Sequence, residues 1–451
     1  MPSTVFDSAI FCDAFGTPAM REVFSDEALV ARYVEIEIAL AKAEARLGVI
    51  PEAAARDIAE QCSAKAIDLG KLKQKTDVVG YPIVGLVAQM AAQCGEAGRY
   101  IHWGATTQDI MDTALVLQMR AALALVADDL AAIDKALAAL AHKHRMTVMA
   151  GRTHLQQALP ITFGYKAAVW LSMIQRHRAR LSQLLPRVLV GQFAGAAGTL
   201  ASLGDKGLAV SDALMDELGL AKPDIPWHVS RDGPAEAVSL LGLVTGTLAK
   251  IATDVMLMMQ TEIGEAFEPF EEGRGSSSTM PQKRNPIACE FIIGAAKVVR
   301  QQAGLMLDGL VADHERATGP WQAEWVALPQ AFIAASGALR HARFMLEGLV
   351  VDAQAMRRNL GVTGGLIVAE AVMMAFAAHV GRQDAHHIVY AACRKALDAG
   401  TTLLSELEKM PEVTQHLSRA RLVELTDPVN YLGSAPAMVD RVLARSEGTA
   451  S

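Results

Sequence analysis

The sequence predicts an all-α fold organised around a bundle of long helices. Hydrophobic residues make up 51% of the 451 residues and aromatics only 5%. Ala, Leu, Val and Met therefore carry the apolar load, as packed helices require. Apolar positions recur at helical spacing over runs far longer than a strand, and strand signals are few. A chain of this length exceeds one small core. The expected organisation is an N-terminal helical segment (1–110), a central bundle of five long helices (111–350) and a C-terminal segment of shorter helices (351–451).

The elements follow in order. Residues 26–47, "DEALVARYVEIEIALAKAEARL", form an amphipathic helix with Ser25 as N-cap and Gly48 and Pro51 as its stop. A polar stretch reaches about residue 110, and 110–145 then reads as one long helix. Pro160 is placed at the start of a second, ending at Pro186, and Pro234 at the start of a third, reaching about Glu265. Residues 286–312 and about 322–349 give two more. Beyond 350, "GVTGG", "GRQD" and "TDPVNYLGS" break the helices. No solenoid-period repeat or low-complexity linker interrupts the chain. "GQFAGAAGTLASLG" (191–204) is too rich in small residues for a helix and reads as a turn where backbone approaches another chain or a ligand.

Composition narrows the function. Mean hydropathy is +0.23, which implies apolar surface buried between subunits. Net charge is −7 with basic residues dispersed, which argues against a nucleic-acid partner. The run from Val238 is interrupted by Lys250 and Asp254, so no membrane partner is expected. The first residues lack a basic region and an apolar signal core. The five cysteines are scattered, with no CxxC or Cys/His metal pattern, so a cytoplasmic protein without a metal centre is expected.

Three polar islands interrupt the apolar rhythm. The first is "HWGATTQDIMDTA", where Thr106, Thr107 and Gln108 precede a helix start that Asp109 can cap. Free N–H groups there suit a carboxylate. His102 is either a buried structural histidine or part of that site. The second is "GRTHLQQALPITFG", which puts His154 beside Thr153 in a loop, as an acid or base or as a structural histidine. The third is "RGSSSTMPQKRNPIACE", a serine-rich loop before Lys283 and Asn285, which can close over a ligand and hold its carboxylate. Islands one and two flank the 110–145 helix, so a single site using all three must draw on different subunits.

"SSSTMPQKRNP" resembles the GSSxMPxKxN signature of the fumarase/aspartase superfamily, with Ser276 in the leading glycine position. "GRTHLQQALPITFG" and "ATTQDIMDTA" are similar to that superfamily's second and first regions. The resemblance spans essentially the whole chain. It implies a three-segment fold, a homotetramer with a twenty-helix core, active sites shared between subunits, a small anionic polycarboxylate substrate and no cofactor. By the same resemblance Ser277 is the loop serine that acts as general base, and Lys283 and Asn285 hold a carboxylate. His154 is the second-region histidine and Glu290 the acid that orients it. Thr106, Thr107, Gln108 and Thr153 belong to the substrate-binding regions, and His102 matches a histidine of adenylosuccinate lyases.

Such enzymes form a carbanion next to a carboxylate, and its charge needs donors and cations in a dry site. The basic contacts of adenylosuccinate lyases to a nucleotide phosphate are missing. "FGTPAMREVFSD" stands near the N-terminus, Gly233 follows Arg231 and Asp232, and Trp325 ends "HERATGPWQAEW". The chain resembles instead the branch that lactonises a tricarboxylate diene. Arg231, Arg316 and Arg382 are candidate partners for the additional carboxylates. Adjacent His386 and His387 point about 100° apart on a helix, a poor metal pair. The alternatives are a lyase releasing fumarate and a non-catalytic helical scaffold of the crystallin kind.

Overall fold

A computed structural model describes residues 3–276, 279–280 and 282–448. The chain forms two compact units. One comprises Met1–Leu130, His177–Ala249 and Phe291–Arg340, and the other Ala131–Arg176, Lys250–Glu290 and His341–Ser451. Helices dominate, and the paired strands among the described residues form two short antiparallel ribbons.

Local chemistry sets the helix ends. Asp26–Arg46 begins where the Ser25 hydroxyl accepts from the Ala28 N–H at 3.1 Å. It stops before Gly48, whose φ is +66°. Its buried face carries Tyr33, Ile36 and Leu40, but also two carboxyls, Glu37 and Glu44. The five long helices are Thr107–Lys143, Phe163–Val188, Asp232–Met259, Ile287–Asp308 and Pro320–Glu347. The first holds 37 residues, which at helical rise is about 54 Å. Thr107–Lys143 and Asp232–Met259 are long and apolar enough to cross a membrane by length and composition. In the first, 61% of the apolar window is buried within protein, and in the second 44%. The first therefore behaves as a core helix, and the second leaves apolar positions such as Leu243 and Leu257 exposed.

One element differs from the sequence reading. Pro160 does not start a helix. Val148–Thr153 and Gln156–Thr162 pair as an antiparallel ribbon with Pro160 opposite Ala150. Proline's fixed φ and missing N–H suit a ribbon edge as well as a first helical turn. The helix starts at Phe163, after Thr162 caps it by accepting from the Tyr165 N–H at 3.0 Å. The third helix also stops short of Glu265, at Met259, before a turn with Gly264 at φ +58°.

In the second unit, Glu268 supports the helix that follows the serine-rich island. Its carboxylate accepts from the Ala288 N–H at 3.1 Å and the Cys289 N–H at 2.8 Å. It answers two donors that the first helical turn leaves unpaired, and its charge opposes the helix dipole. Further along this unit, Val372, Phe376, Val389, Leu403 and Leu407 pack short helices into a C-terminal core.

Glu268→Ala should lower unfolding free energy by about 1–2 kcal/mol, read as a lower urea midpoint, while Glu268→Gln should lose less.

Candidate active site

In the first unit, Asp109 organises the first island. Its Oδ1 accepts from the Ala194 N–H at 3.0 Å and lies 2.7 Å from His228 Nε2. Its Oδ2 accepts from the Gly195 N–H at 2.9 Å and the Thr106 N–H at 3.0 Å. The last of these is the reach-back half of a capping box, from the third helical residue to the N-cap. The glycine-rich stretch after 191 is thereby bonded to the start of the long helix. Gly195, at φ +79°, adopts the left-handed conformation this approach needs. Thr106 and Thr107 stand half-buried at the helix mouth.

His102 sits beside them at φ +62°, a conformation uncommon for any residue but glycine. Its Nδ1 lies 2.7 Å from Glu37 Oε1. Burial works against a charged ring, but the Glu37 hydrogen bond and the Glu37 and Asp109 charges outweigh it, so the His102 pKa is raised. On the same helix as Glu37, both carboxyl oxygens of Glu44 are buried without a partner among the described residues. Burial, assisted by Glu37, pushes the Glu44 pKa up to about 9.

Two expected substrate contacts in this unit have protein partners. Arg231 is buried and already engaged. Its guanidinium pairs with Asp112 at 2.8 and 3.0 Å and with Glu324 at 2.9 and 2.5 Å. Two carboxylates satisfy it inside the protein. Gln108 is 1% exposed and its amide is used at both ends. Its Nε2 donates to the His228 carbonyl at 2.9 Å, and its Oε1 accepts from Arg316 at 2.6 Å. Gln108 therefore positions Arg316, which also donates to the Ala196 carbonyl at 2.8 Å and remains half-exposed. Trp325, at the place where adenylosuccinate lyases carry a phosphate-binding arginine, packs edge-on against Trp321 and Tyr81.

In the second unit, His154 and Leu155 form the tip of the Val148–Thr162 ribbon at φ +50° and +63°. Two successive left-handed residues are the signature of a type I′ hairpin turn, usually made with Asn-Gly. The flank is held by Arg152, which makes a two-pronged pair with Glu265 at 2.8 and 2.7 Å. Asn359 donates to the same carboxylate at 2.8 Å, and its carbonyl accepts from Gln157 at 2.7 Å. Thr153 and His154 project from this support into solvent.

The third island is closed at its base. The Asn285 N–H donates to the Gly275 carbonyl at 3.0 Å, and Ser276 bridges antiparallel to Arg284. Gly275 has φ +68°, and a Cβ there would lie 2.7 Å from the Asn285 carbonyl oxygen, so only glycine fits. Lys283 is exposed and Asn285 half-buried just past this closure, and Glu290 is exposed in the following helix. The Ser277 assignment lies outside the described residues. Among the described residues, the side chains of Thr153, His154, Lys283 and Glu290 make no hydrogen bond or ion pair with one another.

Glu37, Asp112, Glu265, Glu324 and His228 were not singled out in the sequence. Only Glu37 and Glu44 left a signal there, as carboxyls seven residues apart on the apolar face of a helix.

A family model described as Lyase matches residues 14–300, and one described as Adenylosuccinate lyase C-terminus matches residues 365–442. The chain is similar to trans-aconitate decarboxylase 1 of Mycosarcoma maydis, at 50% identity over 99% of this chain and 90% of that protein. It is also similar to a 3-carboxy-cis,cis-muconate cycloisomerase of Pseudomonas aeruginosa, at 47% identity over 98% of this chain and 97% of that protein. The crystal structure of 3-carboxy-cis,cis-muconate lactonizing enzyme from Pseudomonas putida matches at TM-score 0.92 and 43% identity, covering 97% of this chain and 99% of that one.

Two outcomes follow from the buried carboxyls. Arg231→Met leaves Asp112 and Glu324 unpaired and should destabilise the fold by about 3–5 kcal/mol in urea unfolding. Glu44 has a native pKa far above its unfolded value near 4.5, so the native state binds the extra proton between roughly pH 4.5 and 9. Its contribution is present at low pH and is lost as pH rises through that window. Glu44→Gln should therefore raise the melting temperature more at pH 8 than at pH 5.

Proposed function

The chain belongs to the lyase family of the fumarase/aspartase superfamily, and from that premise we propose that it lactonises 3-carboxy-cis,cis-muconate to 4-carboxymuconolactone in the β-ketoadipate route of protocatechuate catabolism. Near full-length likeness to bacterial enzymes of that activity carries the reading. The aromatic packing of Trp325 supports it, because a substrate without a phosphate needs no cation there.

The reaction is an isomerisation. A carboxylate oxygen of the substrate adds to an alkene carbon of the same molecule, forming a C–O bond as the π bond breaks. The electron pair moves to the carbon next to a second carboxylate, which then takes a proton. Because the nucleophile is tethered, fixing the reactive conformer supplies much of the acceleration. In our reading Lys283 and Asn285 hold the carboxylate that accepts the developing charge, and Thr106, Thr107, Thr153 and Arg316 bind the others. Ser277 delivers the proton, with His154, oriented by Glu290, and His102 as the competing donors. The addition and protonation leave the substrate at the same overall oxidation level, so the step asks for no redox cofactor.

Thr107–Lys143 supports sharing of sites in a homotetramer. Its length separates the residues that open it from those that follow it by about 54 Å, and the exposed apolar positions on Asp232–Met259 suit burial against another copy. Of the three-segment division, the boundary at 350 falls in the gap between the two family matches.

Incubation with 3-carboxy-cis,cis-muconate should bleach the diene absorbance and yield the lactone. Fumarate release from adenylosuccinate would favour the lyase alternative, carbon dioxide from trans-aconitate a decarboxylase, and no turnover of any a scaffold. Lys283→Ala should lower kcat/KM about 10²-fold or more. Of Ser277→Ala and His154→Asn, the variant lacking the proton donor should lose about 10²–10⁴ in kcat, and near-normal turnover in either removes that residue from the step.

A further inference from the structure

We propose that Glu37 is a positioning residue for His102, fixing the tautomer and direction of its imidazole from the interior of the first unit. The inference deepens the reading above and rests on His102 serving the proposed site. The geometry carries it. The backbone of His102 is held in the left-handed region, which fixes where its ring emerges. Its Nδ1 then meets Glu37 Oε1 at 2.7 Å. A carboxylate accepts and cannot donate, so Nδ1 carries the hydrogen in the neutral ring. Nε2 is left as the atom that exchanges a proton with a ligand.

Glu37 is suited to this task and to no other visible one. It is 1% exposed, and its Oε2 is buried without a partner among the described residues. A buried carboxylate so poorly satisfied favours a cation at its one occupied oxygen. His102 is that cation when protonated. The groups that act on this pair come from several elements. Asp109, at the start of the long helix, adds negative charge near His102. Glu44 shares the helix of Glu37, and the Cys62 thiol, beside that of Cys94, feels the Glu37 charge. Glu44 and Cys62 both have raised pKa values from burial and are neutral near pH 7, so neither adds charge beside the pair.

The test combines turnover with direct observation of the ring. In 15N-labelled protein, neutral His102 should appear as the Nδ1–H tautomer, and an Nε2–H tautomer would overturn the proposal without any variant. Glu37→Gln should move the His102 titration to lower pH and shift the limb of the kcat profile that follows it the same way. Its kcat should fall about tenfold or more at neutral pH, with KM little changed. An unmoved titration in a folded Glu37→Gln protein would overturn the proposal. Glu44→Gln, which replaces a neutral acid by a neutral amide on the same helix, should leave the titration in place, and an equal shift there would reduce Glu37 to a packing role. The nuclear resonance arms need no substrate, so loss of the lactonisation reading and loss of this one are separately visible.

Discussion

The first unit depends on a single carboxylate receiving more hydrogen bonds than most buried groups do. Asp109 joins the N-cap of the longest helix to the glycine-rich turn and to His228. Among the described residues none of those backbone donors has a helix or sheet partner of its own, so each would be orphaned in a dry interior without it. Gln108 is its neighbour in sequence, and Arg316 rests on Gln108. The path from one buried oxygen pair to a half-exposed guanidinium is therefore only two side chains long.

The two units treat their motif residues differently. In the first, Gln108, Asp109 and Arg231 are saturated by protein partners and hold the backbone in shape. In the second, the supporting layer of Arg152, Glu265, Asn359 and Glu268 is saturated. The residues it presents, His154, Lys283 and Glu290, stand exposed. A desolvated ion pair left half-made would be expensive, whereas an exposed lysine or histidine is solvated and ready for a ligand. This division between rigid support and open presentation is what an active site requires.

The helices were legible because their determinants are local. Ser25 and Gly48 mark the ends of one element, and apolar periodicity outlines the long ones. The ribbon before Phe163 was not, because its turn is His-Leu rather than Asn-Gly and its register is fixed by Arg152 reaching Glu265, a partner 113 residues away. The serine-rich island was legible from composition alone, and its closure by Gly275 and Asn285 agrees with a loop that has a fixed base. The surroundings of Arg231 were not legible for a plain reason. A sequence gives the charge of an arginine but not whether two carboxylates from distant segments already surround it. The partners of Gln108 were hidden in the same way, and Glu37 was overlooked because its partner lies 65 residues further on.

His102, His154 and His314 all occupy left-handed backbone, which stores of the order of 1–3 kcal/mol of strain at such a residue. Glycine at any of them would relax the chain. Laboratory selection of this protein for heat tolerance alone would consequently favour the loss of the exposed His154, so a screen for hardier variants must score turnover in the same round.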